Sequence, residues 1–103
     1  MLFRSQDKPG FISVVAMVEI VWVLDRAYGF AAREIAAAVE RILQVDVLVV
    51  ENEQEVFTAM TAVKDGQGSF ADGVIAALGT RAGCSRTLTF DRKAARLPTF
   101  ELA

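Results

Sequence analysis

The positions of the apolar residues predict short strands that alternate with helices. After a Pro-Gly turn signal, residues 11–12 form a very short apolar run, and Ser13 can cap a helix that follows over residues 14–27. Residues 1–10 show no period, so we predict an irregular segment before this strand. Because nearly every side chain of the helix except Glu19 is apolar, we expect neighbouring elements to bury it on all sides.

The rest of the chain continues this alternation. The predicted elements are an amphipathic helix over 31–44, a strand over 45–50, a helix after a capping box of Asn52 and Glu55, a helix after a second box of Ser69 and Asp72 that ends near Gly83, a strand over 87–90 and a strand over 99–102. The strand over 45–50 is nearly continuously apolar, which is typical of a parallel sheet covered on both faces. The pattern predicts an α/β fold around a largely parallel sheet with right-handed crossovers.

Length and composition limit the fold further. The chain has 103 residues, of which 53% are hydrophobic and 23% charged, so it has room for one domain and ample apolar surface for a core. Its 11 basic and 13 acidic side chains give a net charge of −2, which provides no global field to attract nucleic acid. Any nucleic-acid contact must therefore come from a local cluster of charge.

The absence of histidine excludes several kinds of chemistry. With no His and only Cys84, the chain cannot build a Cys/His zinc site, an internal disulfide or a histidine acid–base pair. Catalysis, if present, must use carboxylates. The apolar run over 11–24 has 14 residues and carries Glu19, which is too short and too polar for a membrane span. We therefore expect a cytoplasmic protein with no membrane partner.

Three carboxylates are predicted to meet at one edge of the sheet. Glu19 lies in the second turn of a helix that leaves a strand end, Asp72 lies in the first turn of a helix that runs back to a strand, and Asp91 directly follows that strand. The carboxyl ends of parallel strands are where ligands gather in open sheets. Converging carboxylates repel each other unless cations neutralise them, so the pattern predicts an oxygen-ligand site for Mg²⁺ or Mn²⁺.

Each of these carboxylates also has a structural interpretation. Glu19 can form an ion pair with an arginine, Asp72 can complete the capping box at its helix start, and Asp91 can cap the turn that follows it. Taken singly, none of them requires a metal ion.

A basic cluster surrounds Asp91. Between residues 80 and 98 the charged side chains are Arg81, Arg86, Arg92, Lys93 and Arg96 against Asp91 alone, a local net charge of +4. Such clusters contact phosphate groups, although a solvated basic turn explains the same residues.

Three segments carry a more specific signal. They read FISVVAMVEIVWVL, VLVVENEQEVFTAM and SFADGVIAALGTRAGCSRTLTFDRKAARLPTFELA. In their order and spacing, over residues 11–103, they resemble the PIN-domain ribonucleases of the VapC type, which are the toxins of bacterial toxin–antitoxin pairs. The resemblance implies a metal-dependent endoribonuclease, with Glu19, Asp72 and Asp91 as catalytic residues and as ligands of Mg²⁺ or Mn²⁺.

The resemblance also implies partners. It implies an RNA substrate such as tRNA, a cognate antitoxin and a homo-oligomer. RNA contacts are expected from the basic cluster and from the hydroxyl before the last aspartate: Arg86, Thr89, Arg92 and Lys93.

One part of the family pattern is missing from the sequence. Family members open with a strand that ends in an aspartate, the first metal ligand, and then a helix, whereas the candidate here is Asp7 in an unstructured context. We therefore expect a single partial PIN-like domain, N-terminally incomplete, with impaired ribonuclease activity. Two alternatives stay open: an inactive remnant that binds an antitoxin or other copies of itself, and an unrelated small α/β module. Loss of a central strand would favour a dimer with a swapped or rearranged sheet.

Overall fold

The structure, a computed structural model, describes residues 9–89 and 91–103. Within them the chain forms four α-helices and four strands, in the predicted order. Their bounds are β1 Gly10–Ile12, α1 Val14–Arg26, α2 Ala32–Leu43, β2 Leu48–Val50, α3 Glu53–Lys64, α4 Phe70–Arg81, β3 Thr87–Thr89, a 3₁₀ helix Ala94–Arg96 and β4 Phe100–Leu102. The mixed α/β character predicted from the sequence is confirmed.

The strands form two parallel pairs. β1 pairs with β2 and places Phe11 opposite Val49, while β3 pairs with β4 and places Leu88 opposite Glu101. The parallel pairing is as predicted, but the described residues divide it into two sheets of two strands each. Residues 1–8, including Asp7, lie outside the described part of the chain, so the absence of a first strand and helix stays a prediction.

Local signals begin and end the helices largely as predicted. The Ser13 hydroxyl oxygen accepts from the Ala16 amide at 3.0 Å at the start of α1. The Ser69 hydroxyl oxygen accepts from the Asp72 amide at 3.1 Å at the start of α4. Gly83 follows α4 with φ +86°, a left-handed conformation in which glycine avoids the steric penalty of other residues.

The prediction that α1 is buried on all sides is wrong. Its buried side chains are Met17 and Val21, whereas Val15 and Trp22 are exposed, with 59% of Trp22 accessible to solvent. The Arg26 guanidinium lies 5.7 Å from the centre of the Trp22 ring and provides a cationic contact there. Of the described helices, none combines the length and the apolar character that crossing a membrane requires.

The prediction that the second strand is covered on both faces is also wrong. β2 is only three residues long, and its middle residue Val49 is 52% exposed beside Phe11, which is 63% exposed. Ile12 and Val50 point the other way and pack against the helical core. Each residue of a strand points opposite to its neighbours, so β1 and β2 have one covered face and one open face.

The predicted capping box at the start of α3 does not form. Asn52 occupies the cap position with φ 54° and makes no side-chain cap bond. Glu55 is buried instead and accepts from the Arg81 guanidinium at 3.1 Å. The sequence spacing was correct for a box, but the left-handed backbone at Asn52 directs its side chain away from the helix amides.

The core lies among the four helices. Its buried members are Met17, Val21, Ile35, Ala36, Val39, Val56, Ala59, Met60, Val63, Phe70 and Val74. The apolar side predicted for α2 through Ile35 and Val39 is therefore confirmed.

α3 and α4 are in close contact at Gly73. A Cβ atom placed on Gly73 would lie 3.1 Å from Ala59 Cβ and 3.2 Å from Ala59 Cα. A side chain at position 73 would therefore require the two helices to move apart by a few tenths of an ångström. Gly79, in the same helix, faces only the Thr87 hydroxyl at 3.1 Å, and that hydroxyl can rotate away.

We predict opposite effects for two glycine substitutions in α4. Gly79→Ala should raise the free energy of unfolding by about 0.5–1 kcal/mol, because alanine has the higher helix propensity. Gly73→Ala gains the same propensity but overpacks Ala59, so it should lower the free energy of unfolding by about 1 kcal/mol or more. Urea unfolding of both variants checks this. Equal stabilisation by both would show that α3 and α4 are not in close contact.

We also predict that the two ion pairs differ in their effect on stability. Arg81→Met leaves the Glu55 carboxylate, whose side chain is 12% exposed, without its partner, and should cost about 1–3 kcal/mol. Arg86→Met removes a partner of Glu101 in a pair whose side chains are 65% and 51% exposed, and should change stability by less than about 0.5 kcal/mol. Thermal unfolding of the two variants compares them. A larger loss for Arg86→Met would contradict the assignment.

Candidate functional site

The three predicted carboxylates lie where the sequence places them along the chain. Glu19 is in the second turn of α1 and exposed, and Asp72 is in the first turn of α4 and half-buried. Asp91 follows β3 after one residue outside the described part, and it is exposed. All three side chains are accessible to solvent to some degree.

The structure does not gather these carboxylates into a preformed metal site. Across residues 9–89 and 91–103, no group of three or more Asp, Glu or Cys side chains could hold a metal ion. The strands that precede or follow these residues belong to different pairs: Glu19 follows β1, whereas Asp91 follows β3 and Asp72 begins the helix that leads to β3. Their common role at a metal ion stays a prediction.

Asp91 sits in a tight turn. Its amide donates to the Thr89 hydroxyl oxygen at 3.0 Å, and its Oδ1 accepts from the Lys93 amide at 2.8 Å. Its carbonyl oxygen accepts from the Ala95 amide at 3.0 Å, which begins the 3₁₀ helix. The capping interpretation of Asp91 is therefore observed, and Thr89 is the residue that holds this turn in place.

Asp72 lines a small cavity between α4 and the segment before β4. The cavity has a volume of about 230 Å³. The Thr58 and Thr80 side chains add polar groups, and Leu97 closes one side. The Ser69 contact engages only the backbone amide of Asp72, and within the described residues the Asp72 carboxylate makes no return bond to the Ser69 amide, so the predicted capping box is half formed.

Glu19 is not part of either ion pair within the described residues, which join Glu55 to Arg81 and Glu101 to Arg86. The alternative of a Glu19–arginine pair is therefore not observed there.

Sequence reasoning missed a further carboxylate, Glu51. It directly follows β2, and its Oε1 accepts from the Val14 amide at 2.8 Å at the start of α1. A carboxylate at this place satisfies a free helix amide and interacts favourably with the helix dipole. The rule that picked Asp91, a carboxylate directly after a strand, would also have found Glu51.

The basic cluster is partly neutralised inside the chain. Arg81 bonds to Glu55, and Arg86 bonds to Glu101 at 2.9 Å. Within residues 9–89 and 91–103, the members of the cluster outside an ion pair are Arg92, Lys93 and Arg96, which are all exposed on the turn after Asp91.

The chemistry of the donor set fits a hard divalent cation, because carboxylate oxygens are the ligands that Mg²⁺ and Mn²⁺ prefer. The arrangement does not, since no three carboxylates among the described residues are placed to hold such an ion together.

Comparison with known proteins gives one finding. The family model described as the PIN domain matches residues 2–99. Searches of curated proteins and of solved structures give no significant match. The family match covers nearly the whole chain, including α1, α4 and the turn at Asp91, and the protein belongs to the PIN domain family.

Proposed function

We propose that this protein is an endoribonuclease toxin of the VapC type, from a toxin–antitoxin pair, which cuts RNA by Mg²⁺- or Mn²⁺-assisted hydrolysis of a phosphodiester bond. The observation that carries the proposal is the PIN domain match over residues 2–99, since this family has a nuclease fold. The accessible carboxylates Glu19, Asp72 and Asp91 supply the donor chemistry that such hydrolysis needs.

The residues near β3 have distinct roles in this proposal. Arg92 and Lys93 contact the phosphates of the RNA, and Arg86 joins them by exchanging Glu101 for a phosphate. Thr89 positions Asp91 through the hydrogen bond to its amide and contacts the RNA at the same edge. A bound divalent ion would supply an activated water and neutralise charge on the phosphodiester.

The proposed partners follow from the same family relationship. The substrate is a structured RNA such as tRNA, the regulator is a cognate antitoxin, and the toxin assembles with other copies of itself in the cytoplasm. We propose weak activity for this chain, because the carboxylates of its described residues do not form a group ready to hold a metal ion.

A second candidate function is an inactive PIN domain that serves as an oligomerisation or antitoxin-binding module. The dispersed carboxylates favour it, together with the exposed apolar side chains of Phe11, Trp22 and Leu88. The two candidates differ in one measurable property, cleavage of RNA.

We predict weak Mn²⁺-dependent cleavage of tRNA that EDTA abolishes. Asp91→Asn should also abolish it, because asparagine can still accept from the Lys93 amide through Oδ1 but loses the negative charge. Asp46→Asn, an exposed aspartate before β2, is the matched control and should cleave like the wild type.

The possible outcomes separate the candidates. Cleavage no greater than the EDTA blank would favour the inactive module. Robust cleavage that Asp91→Asn abolishes would support the nuclease and contradict its impairment. Cleavage unchanged by Asp91→Asn would contradict the proposed site.

We predict that Mn²⁺ binding, measured by calorimetric titration, depends jointly on the three carboxylates. Glu19→Gln, Asp72→Asn and Asp91→Asn should each weaken binding by about tenfold or more, because loss of any ligand removes charge and geometry. Glu40→Gln, on the exposed side of α2, is the control and should leave the titration unchanged. Equal heats for Asp72→Asn and Glu40→Gln would assign Asp72 to helix capping alone.

A further inference from the structure

Thr99, directly before β4, has an unusual backbone conformation. Its φ is 69°, in the left-handed region, where a β-branched residue is strained. Its carbonyl oxygen accepts from the Thr87 amide at 2.6 Å, so the backbone here is held against the start of β3. Glycine adopts this conformation without strain, and strained residues concentrate at functional sites. The threonine side chain at this position therefore calls for a functional explanation.

Thr99 lines the cavity of about 230 Å³ that Asp72 also lines. One wall of the cavity is the side of α4 that carries Gly73, Ala76 and Ala77, whose small side chains recur at helical spacing and leave the space open. The volume is below the about 300–1,000 Å³ of pockets that enclose drug-sized ligands. The cavity therefore suits a single ring system rather than a larger molecule.

Polar groups suited to a ligand surround this space. Within the described residues, the hydroxyls of Thr80 and Thr99 and the carboxamide of Gln67 make no hydrogen bond to the protein, whereas the Thr58 hydroxyl donates to the Gln54 carbonyl oxygen at 3.0 Å. Hydroxyl and carboxamide groups both donate and accept. The rim of the cavity can therefore bond to the donors and to the acceptors of a polar ring.

Charge and apolar surface narrow the class of ligand. Leu97 and Phe100 give the cavity an apolar side. Among the described residues that line it, Asp72 alone carries a charge, and this negative charge opposes a phosphate inside the cavity. Arg96, one residue before Leu97, is exposed and belongs to the basic cluster. An uncharged flat ring inside, with its phosphate outside, fits these surroundings.

We infer that the cavity beside Asp72 binds one nucleobase of RNA. The apolar side chains of residues 97–100 contact the faces of the base, and the Thr80 and Thr99 hydroxyls bond to its edge. Arg96 contacts a phosphate of the same strand. Unpaired bases of RNA are commonly recognised by such a combination of stacking and edge contacts.

The inference rests on the proposed function and adds base selection to it. Asp72 belongs to the carboxylates proposed to hydrolyse the phosphodiester bond, so a base held beside it lies next to the bond that is cut. The cavity then determines which nucleotide occupies that position.

The first test measures binding without cleavage. Each nucleoside 5′-monophosphate of RNA is titrated into the full chain in EDTA, and the amide signals are followed by NMR. We expect saturable binding that differs among the bases, with shifts of the Ala76 and Thr99 amides. Ribose 5′-phosphate is the matched ligand without a base, and it should leave these signals unchanged.

Three variants test the cavity, with a fourth as control. Ala76→Leu fills the space and should weaken nucleotide binding by about tenfold or more, whereas Ala37→Leu, at an exposed position of α2, should not. Thr80→Val removes a hydroxyl from an exposed site and should weaken binding even if Ala76→Leu does not fold. Thr99→Gly removes both the hydroxyl and the strain, so it should weaken binding without lowering the urea midpoint. A purely structural role of Thr99 predicts a lower midpoint instead.

The outcomes distinguish this inference from the proposed function. Equal binding of ribose 5′-phosphate and the nucleotides would overturn the inference, because it would show recognition of phosphate alone. Binding unchanged by Ala76→Leu and Thr80→Val would overturn it too. RNA cleavage by a chain whose cavity binds no nucleotide would overturn the inference and leave the proposed function standing. Base-dependent binding by a chain that does not cleave RNA would support the base site and contradict the proposed cleavage.

Discussion

The packing of α3 against α4 determines how the two strand pairs of this protein are positioned relative to each other. The two strand pairs share no strand, so their relative position is carried by the helices. β2 leads into α3, and α4 leads into β3. Gly73 against Ala59 sets the separation of these helices, and the Glu55–Arg81 ion pair joins the beginning of one to the end of the other. A buried carboxylate is costly without a partner, so this pair also opposes rotation of α4 relative to α3.

The packing of α3 against α4 also affects the positions of the carboxylates Glu19, Asp72 and Asp91. In a continuous parallel sheet, neighbouring strands bring their carboxyl ends to one edge by hydrogen bonding alone. Here Glu19 is positioned by β1 and α1, and Asp91 by β3 and the turn at Thr89. Their separation is therefore set by helix packing rather than by strand register.

The sequence was sufficient for features that depend on local interactions. Ser13 and Ser69 cap their helices as predicted, and the element types are correct, because capping and apolar periodicity act within a few residues. The wrong predictions concern the surroundings of the helices and strands in the folded protein and the backbone conformation at one helix start. Apolar composition alone could not show that Trp22 and Val49 face solvent, since the number of neighbours depends on the whole fold. The failed box at Asn52 arose from a left-handed backbone that residue spacing does not reveal. Sequence could nominate the site's carboxylates, but their distances depend on how the strand pairs are joined.

The charges beside β3 connect its strand edge with the proposed activity. Strands of three residues bury little side chain and are marginal in water, so flanking residues that oppose pairing with a further strand matter for both strand pairs. Lys8 and Pro9 come directly before β1, and Arg86 and Asp91 flank β3. The charges beside β3 are also the ones proposed to meet RNA phosphate and a metal ion. One set of charges at β3 would therefore serve both to limit strand pairing and to bind polar ligands.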